Sequence, residues 1–84
     1  MYTLEFSVHA IKTLRRVQAS DRERIMNAIN LLRIDPYACA NVKKLKGRQG
    51  YRLRVGDWRV IYEIYDEMLI IRVLEIGQRK EIYR

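Results

Sequence analysis

The stretch that decides the fold is residues 51–62, Tyr-Arg-Leu-Arg-Val-Gly-Asp-Trp-Arg-Val-Ile-Tyr. Apolar and basic side chains alternate on both sides of Gly56-Asp57, and this period of two predicts a β-hairpin. Glycine at the first central position of a two-residue loop is typical of a type II′ turn. With that turn, Arg54 is expected to lie opposite Arg59, and Tyr51 opposite Tyr62.

The predicted register separates the side chains of the hairpin into two faces, because successive residues of a strand point to opposite sides. One face is apolar and is expected to receive the helices; it carries Tyr51, Leu53, Val55, Trp58, Val60, Tyr62 and Ile64. The other face carries Arg52, Arg54 and Arg59. Like charges placed opposite each other cost roughly 0.2–1 kcal/mol, which a chain selected only to fold has little reason to keep. The alternative is that the arginines only keep the sheet soluble, although the exclusive use of arginine favours a binding role.

The residues before the hairpin predict a strand and two helices. Alternation over residues 2–6 indicates a first strand, and Ser7 is expected to cap a helix that ends near Ala19. The pattern Ser20-x-x-Glu23 predicts a capping box at the start of a second helix over residues 21–34. Asp35-Pro36 is expected to terminate that helix, since proline lacks a backbone donor and restricts the residue before it.

A third β-rich run over residues 68–76 is expected to complete a three-stranded meander. Strict alternation in this run would place Arg72 and Ile76 on the face that carries the arginines. The whole order is β-α-α-β-β-β. It predicts a single α+β domain over residues 1–84, an antiparallel sheet with a helical hairpin packed on one face.

Composition restricts the class of protein. The chain has 84 residues, 49% hydrophobic and 32% charged, which is too apolar for disorder and too charged for a membrane span. No secretory signal follows Met1, so the expected location is the cytoplasm. The one cysteine, Cys39, and the one histidine, His9, are too few for a disulfide or a structural zinc site, and no cofactor is expected.

The charge is strongly positive and concentrated near the hairpin. The net charge is +7, and residues 43–59 contain seven Lys or Arg against one acidic residue, Asp57. Such an excess favours a polyanionic partner, such as nucleic acid or an acidic protein. A solvated basic loop is the alternative interpretation of this stretch.

Three motifs resemble those of one protein superfamily. They are Lys-Leu-Lys-Gly at 44–47, the hairpin at 51–62, and Ile-Gly-Gln-Arg-Lys-Glu-Ile-Tyr at 76–83. Together with the order of elements, they resemble the RelE/ParE superfamily of toxins from type II toxin-antitoxin pairs over essentially the whole chain. The ending, with Arg79 and Tyr83, is more similar to the RelE branch than to the ParE branch.

The resemblance to the RelE branch implies a ribosome-dependent mRNA endonuclease. In that branch the ribose 2′-OH attacks the adjacent phosphate without a metal, leaving a 2′,3′-cyclic phosphate. Carried over by position, the catalytic candidates are Arg52, Arg54, Arg59, Arg79 and Tyr83. Arg59 and Arg79 are expected to clamp the scissile phosphate, Arg52 and Arg54 to stabilise charge and position the backbone, and Tyr83 to stack on a base or transfer a proton.

The sequence does not identify the general base of this reaction. Gln78 stands where many relatives carry histidine, and arginine is a poor base because of its very high pKa. Tyr83 and a carboxylate are the alternatives, with Glu63 and Glu81 as candidate carboxylates.

The resemblance also implies partners. Lys43, Lys44, Lys46 and Arg48 are expected to contact phosphates of mRNA and ribosomal RNA without sequence preference. A cognate acidic antitoxin is the expected protein partner, and neither a membrane nor a small-molecule cofactor is expected. Two alternatives remain, a ParE-like poison of DNA gyrase and a catalytically inactive relative that only binds an antitoxin.

Overall fold

The structure of the protein, a computed structural model, describes residues 1–37 and 39–78. The elements in chain order are β1 (Thr3–Phe6), α1 (Val8–Arg16), α2 (Ala19–Leu32), β2 (Val42–Lys44), β3 (Tyr51–Val55), β4 (Trp58–Tyr65), a 3₁₀ turn (Asp66–Met68) and β5 (Ile70–Gln78). The α+β class and the helical hairpin are confirmed.

The strands form one mixed sheet in the order β1-β5-β4-β3-β2. Strands β2 to β5 are antiparallel to their neighbours, whereas β1 pairs in parallel with β5, with Thr3 beside Ile70. The sheet is therefore not antiparallel throughout as the sequence predicts. The helical hairpin is long enough to carry the chain from β1 across the sheet, and this crossover allows the parallel pairing.

The core lies between the two helices and one face of the sheet. Its buried members are Ala10, Ile25, Ile29, Leu32, Leu53, Val60, Tyr62, Ile71, Val73 and Ile76. The apolar hairpin face is thus placed as predicted, and Trp58 packs against this cluster. Tyr62 also donates its hydroxyl to the carbonyl of Pro36 at 2.7 Å, and burial raises the pKa of this phenol.

The start of α1 follows the sequence prediction and the start of α2 does not. The Ser7 side chain accepts a hydrogen bond from the Ala10 amide at 3.0 Å, as an N-cap does. Helix α2 begins at Ala19 with Gln18 as its N-cap, and no side chain caps it. Ser20 consequently lies inside the helix, and the predicted capping box is wrong. The Arg22 guanidinium instead donates to the carbonyls of Leu14 at 2.7 Å and Val17 at 2.8 Å, which fixes the tight connection between the helices.

Candidate functional site

The β3–β4 hairpin has the predicted register. Val55 pairs with Trp58, Arg54 with Arg59, Arg52 with Ile61 and Tyr51 with Tyr62. Gly56 has φ +59°, as the first central residue of a type II′ turn requires. Because Leu53, Val60 and Tyr62 are in the core, the residues that alternate with them point away from the helices. We call that side of the sheet the open face.

Strand β2 adds a fourth basic residue to the open face. Lys43 pairs with Arg52, while its neighbour Val42 pairs with the core residue Leu53. Lys43, Arg52, Arg54 and Arg59 therefore occupy adjacent positions on three strands, and we call them the basic patch. The sequence pattern does not indicate β2, because the strand has only three residues, two of them lysines, which are depleted in strands.

Arg59 differs from the other members of the basic patch in its burial. Arg59 is only 6% exposed, whereas Lys43 and Arg54 are exposed. The Arg59 guanidinium Nη1 donates to the carbonyls of Gly56 at 3.2 Å and Trp58 at 3.1 Å. Arg59 thus stabilises the hairpin turn in addition to any role toward a ligand.

A β-bulge in strand β5 changes which of its side chains reach the open face. Tyr62 pairs with Val73 but Ile61 pairs with Glu75, so Leu74 is an extra residue without a partner on β4. The bulge reverses the alternation beyond this point. Ile76 consequently lies in the core at 1% exposure, and its predicted placement on the arginine side is wrong. Glu75 lies on the open face instead.

Arg48 folds over the open face to meet Glu75. Its guanidinium lies 3.2 Å from the Glu75 carboxylate, and the two side chains are 49% and 37% exposed. Behind Arg48, the Leu45 amide donates to the Gly50 carbonyl at 3.0 Å and closes the loop. Gly50 approaches β4 so closely that a Cβ would lie 2.9 Å from the Tyr62 carbonyl oxygen, which only glycine tolerates.

The remaining predicted phosphate contacts lie apart from the basic patch. Lys44 pairs with Tyr51 and therefore points to the helix side of the sheet, and Lys46 is exposed in the loop that follows β2. The structure thus brings Lys43 and Arg48 to the open face, and leaves Lys44 on the helix side and Lys46 in the loop.

The far end of the open face has mixed charge. Glu63 pairs with Arg72, and Tyr65 donates its hydroxyl to the Glu63 carboxylate at 2.5 Å. This hydrogen bond raises the pKa of Tyr65. Glu63 is four residues from Arg59 along β4, about 13 Å at the usual rise of a strand. Glu63 is a diagonal neighbour of Arg52, which pairs with Ile61, but this distance separates it from the Arg54–Arg59 pair and makes it a poorer candidate base for a phosphate held by that pair.

A cluster on the other side of the molecule fixes the β4–β5 turn. Tyr2 donates its hydroxyl to Asp66 Oδ1 at 2.5 Å, and Tyr37 donates to Asp66 Oδ2. The two hydrogen bonds lower the pKa of Asp66 and raise that of Tyr37 to about 12. These residues stabilise the fold and do not face the basic patch.

Arg79, Tyr83 and the candidate base Glu81 lie outside the described residues, so their predicted roles stay predictions.

His9 is exposed on α1, and the Cys39 thiol donates to the Asp35 carbonyl at 2.8 Å. Burial raises the pKa of this thiol. Within residues 1–37 and 39–78, no three His, Cys, Asp or Glu side chains form a group that could hold a metal ion.

None of the helices in the described part of the chain is long and apolar enough to cross a membrane.

Comparisons with known proteins agree on toxins of type II toxin-antitoxin systems, the RelE/ParE superfamily. The sequence family described as "ParE toxin of type II toxin-antitoxin system, parDE" matches residues 4–83. The mRNA interferase toxin RelE of Escherichia coli is 29% identical over 87 residues, which cover 98% of this chain and 90% of that protein. Toxin RelE3 of Methanocaldococcus jannaschii is 32% identical, with 93% of this chain and 91% of that protein covered. In the crystal structure of the intact E. coli RelBE toxin-antitoxin complex, one chain has a TM-score of 0.79 and 28% identity, with 93% of this chain and 96% of that chain covered.

Proposed function

This chain belongs to the family of ParE toxins of type II toxin-antitoxin systems, and from its similarity to toxins named RelE we propose that it inhibits translation as an endonuclease that cleaves mRNA on the ribosome. The observation that carries the proposal is the basic patch on the open face of the sheet. The similarity to a protein named mRNA interferase, over nearly the full length of both chains, supports it.

The proposed reaction is a transesterification within one RNA strand. The ribose 2′-oxygen loses its proton and attacks the neighbouring phosphorus, and the bond from phosphorus to the 5′-oxygen breaks. The products are a 2′,3′-cyclic phosphate and a 5′-hydroxyl. The phosphate gains negative charge in the transition state, so fixed cations beside it accelerate the reaction.

Arginine is suited to stabilise the negative charge of the phosphate in the transition state, because its planar guanidinium stays charged and can donate two hydrogen bonds to one phosphate. Arg54 is exposed and can reach a phosphate directly, and Arg52 lies two residues away on the same strand face. Arg59 is opposite Arg54, so the pair can bracket one phosphate. By the resemblance, Arg79 shares the clamp and Tyr83 stacks on a base or moves a proton.

Cleavage of programmed ribosomes tests this function. Purified protein is added to ribosomes that hold an mRNA with a codon in the A site, and the 3′ ends of the products are analysed. We expect cleavage that requires the ribosome and yields 2′,3′-cyclic phosphate ends. The Arg54→Ala, Arg59→Ala double variant is the matched control. Absence of cleavage by the unaltered protein would refute the proposal.

A poison of DNA gyrase is the second candidate function, since the matching family is described as a ParE toxin. Induction in cells separates the two candidates. Arrested protein synthesis supports mRNA cleavage, whereas continued synthesis with double-strand breaks and an SOS response supports gyrase.

We also propose a cognate acidic antitoxin as the protein partner and the cytoplasm as the place of action. The net charge of +7 suits an acidic partner, and the similar RelE chain is in a complex with RelB. Charge complementarity of this kind accelerates association at low salt. An association rate that does not change between low and high salt would contradict an electrostatic contribution.

A further inference from the structure

The cleavage reaction needs a group that accepts the proton of the 2′-hydroxyl, and the basic patch does not contain one. Arginine stays protonated in proteins and lysine is protonated near neutral pH, so Lys43, Arg52, Arg54 and Arg59 are poor bases. A carboxylate that lies within about one ribose of the arginines would fulfil the requirement, because an ionised carboxylate only accepts hydrogen bonds.

The bulge at Leu74 brings one carboxylate to this position. Glu75 pairs with Ile61, and Ile61 stands two residues from Arg59 on the same face of β4. Glu75 and Arg59 are therefore diagonal neighbours, whose Cα atoms lie about 7–8 Å apart. The side chain is partly exposed, so a substrate can reach it. Without the extra residue, the Glu75 side chain would point toward the helices.

The other acidic strand residues of the open face, as far as the structure describes it, lie farther from the Arg54–Arg59 pair, although Glu63 is a diagonal neighbour of Arg52. Glu63 is about 13 Å along β4 from Arg59. Glu5 is on β1 beside Arg72, at the opposite edge of the sheet from the basic patch. Bulges frequently occur next to active sites, where they redirect a side chain.

The ion pair with Arg48 allows the Glu75 carboxylate to lie beside a bound phosphate. A free carboxylate there would repel the RNA, whereas the guanidinium at 3.2 Å balances its charge. The ion pair leaves part of the carboxylate accessible, since both partners remain partly exposed.

We propose that Glu75 is the general base of the cleavage reaction; this inference rests on the proposed function. The Glu75 carboxylate takes the proton from the 2′-hydroxyl as the 2′-oxygen forms its bond to phosphorus. The bond between phosphorus and the 5′-oxygen breaks, and the leaving 5′-oxygen takes a proton from water. The cyclic phosphate and the new 5′-hydroxyl then leave, and Glu75 returns its proton to solvent.

Single-turnover cleavage of mRNA on programmed ribosomes, at saturating protein, tests the assignment. Glu75→Gln keeps the size of the side chain and removes its basicity. We expect its rate to fall by about 10²–10⁴, the usual contribution of a general base, with ribosome binding unchanged. Glu75→Ala should lose as much and regain part of the rate in formate but not in the same concentration of chloride. Glu67→Ala, in the exposed β4–β5 turn, is the matched control and should cleave like the unaltered protein.

Arg48→Ala separates a chemical role of Glu75 from a purely structural ion pair. Under the proposal this variant binds the ribosome more weakly, and at saturation it loses far less of the cleavage rate than Glu75→Gln, because it keeps the carboxylate that accepts the proton. Equal losses in Arg48→Ala and Glu75→Gln would overturn the proposal, and so would a rate for Glu75→Gln that equals that of the unaltered protein. If the unaltered protein does not cleave programmed ribosomes, the proposed function itself fails, and the assignment of Glu75 fails with it.

Discussion

Arg54 lies directly opposite Arg59 across the β3–β4 hairpin, yet the two side chains have different surroundings. Arg54 is exposed at the edge of the basic patch, whereas Arg59 is 6% exposed and donates to the carbonyls of Gly56 and Trp58. Arg54 can therefore bind a ligand without a role in stabilising the fold, whereas Arg59 also stabilises the hairpin turn.

Replacement of Arg54 by alanine should reduce activity and slightly increase stability. Cleavage on programmed ribosomes should fall by roughly 10²–10³, the usual loss when one donor to the transition state is removed. The free energy of unfolding should rise by about 0.2–1 kcal/mol because the repulsion from Arg59 is relieved. Single-turnover cleavage and urea unfolding measure the two effects. A variant with unchanged cleavage would exclude Arg54 from the site.

Replacement of Arg59 by alanine should reduce both activity and stability. Its two hydrogen bonds to carbonyls are made by a charged donor, so we expect a loss of about 1–3 kcal/mol in the free energy of unfolding. Activity should again fall by roughly 10²–10³, measured below the unfolding transition where the variant is fully folded. Arg72→Ala, on the same face but remote from the patch, serves as the control and should retain activity. A folded Arg59→Ala variant that cleaves normally would show that Arg59 has only a structural role.

The loop lysine Lys46 should affect binding and leave the chemical step unchanged. It is exposed and does not belong to the basic patch, so Lys46→Ala should remove at most one phosphate contact. Each lost contact should reduce the magnitude of the slope of log affinity against log salt concentration by about 0.7–1. Ribosome affinity measured between low and high salt checks this, with Lys12→Ala on α1 as a control for net charge. An unchanged slope would mean that Lys46 contacts no phosphate.

The stability of the protein should depend on Asp66 at acidic pH. The hydroxyls of Tyr2 and Tyr37 lower the pKa of Asp66 in the folded protein below its ordinary value of 3.8. The carboxylate therefore contributes stability above that value, and this contribution is lost as the pH falls through the lower pKa of the folded state. Asp66→Asn should melt at a lower temperature than the unaltered protein near pH 7, and the difference should shrink below about pH 4. Asp57→Asn, in the exposed β3–β4 turn, provides the comparison. A difference between the unaltered protein and Asp66→Asn that is independent of pH would contradict the assignment.

Much of the candidate site could be predicted from the sequence because its determinants are local. The alternation in residues 51–62 and the glycine at position 56 specify the turn, the register and the face of each side chain without knowledge of any other element. The opposition of Arg54 and Arg59 follows from this stretch alone. The helix cap at Ser7 is a local feature of the same kind, and the structure confirms it.

Only the tertiary structure determined the features that depend on contacts between distant parts of the chain. The parallel pairing of β1 with β5 joins residues nearly seventy positions apart, and no local pattern indicates it. Strand β2 forms because β3 offers it a free edge, although its lysines have low β propensity. The burial of Arg59 likewise could not be inferred from a pattern that is typical of an exposed strand face.

The position of the Glu75 side chain is the clearest example of a feature that the sequence alone does not predict. A strand has a period of two, so one extra residue at Leu74 moves every later side chain to the opposite face. Nothing in residues 70–78 taken alone specifies the bulge; it is stabilised where β5 pairs with β4 and where the Ser7 hydroxyl donates to the Leu74 carbonyl at 2.5 Å. The sequence by itself determined that arginines line one side of the hairpin. Only the packing of β5 between β1 and β4 decided that Ile76 enters the core and that a carboxylate stands beside those arginines.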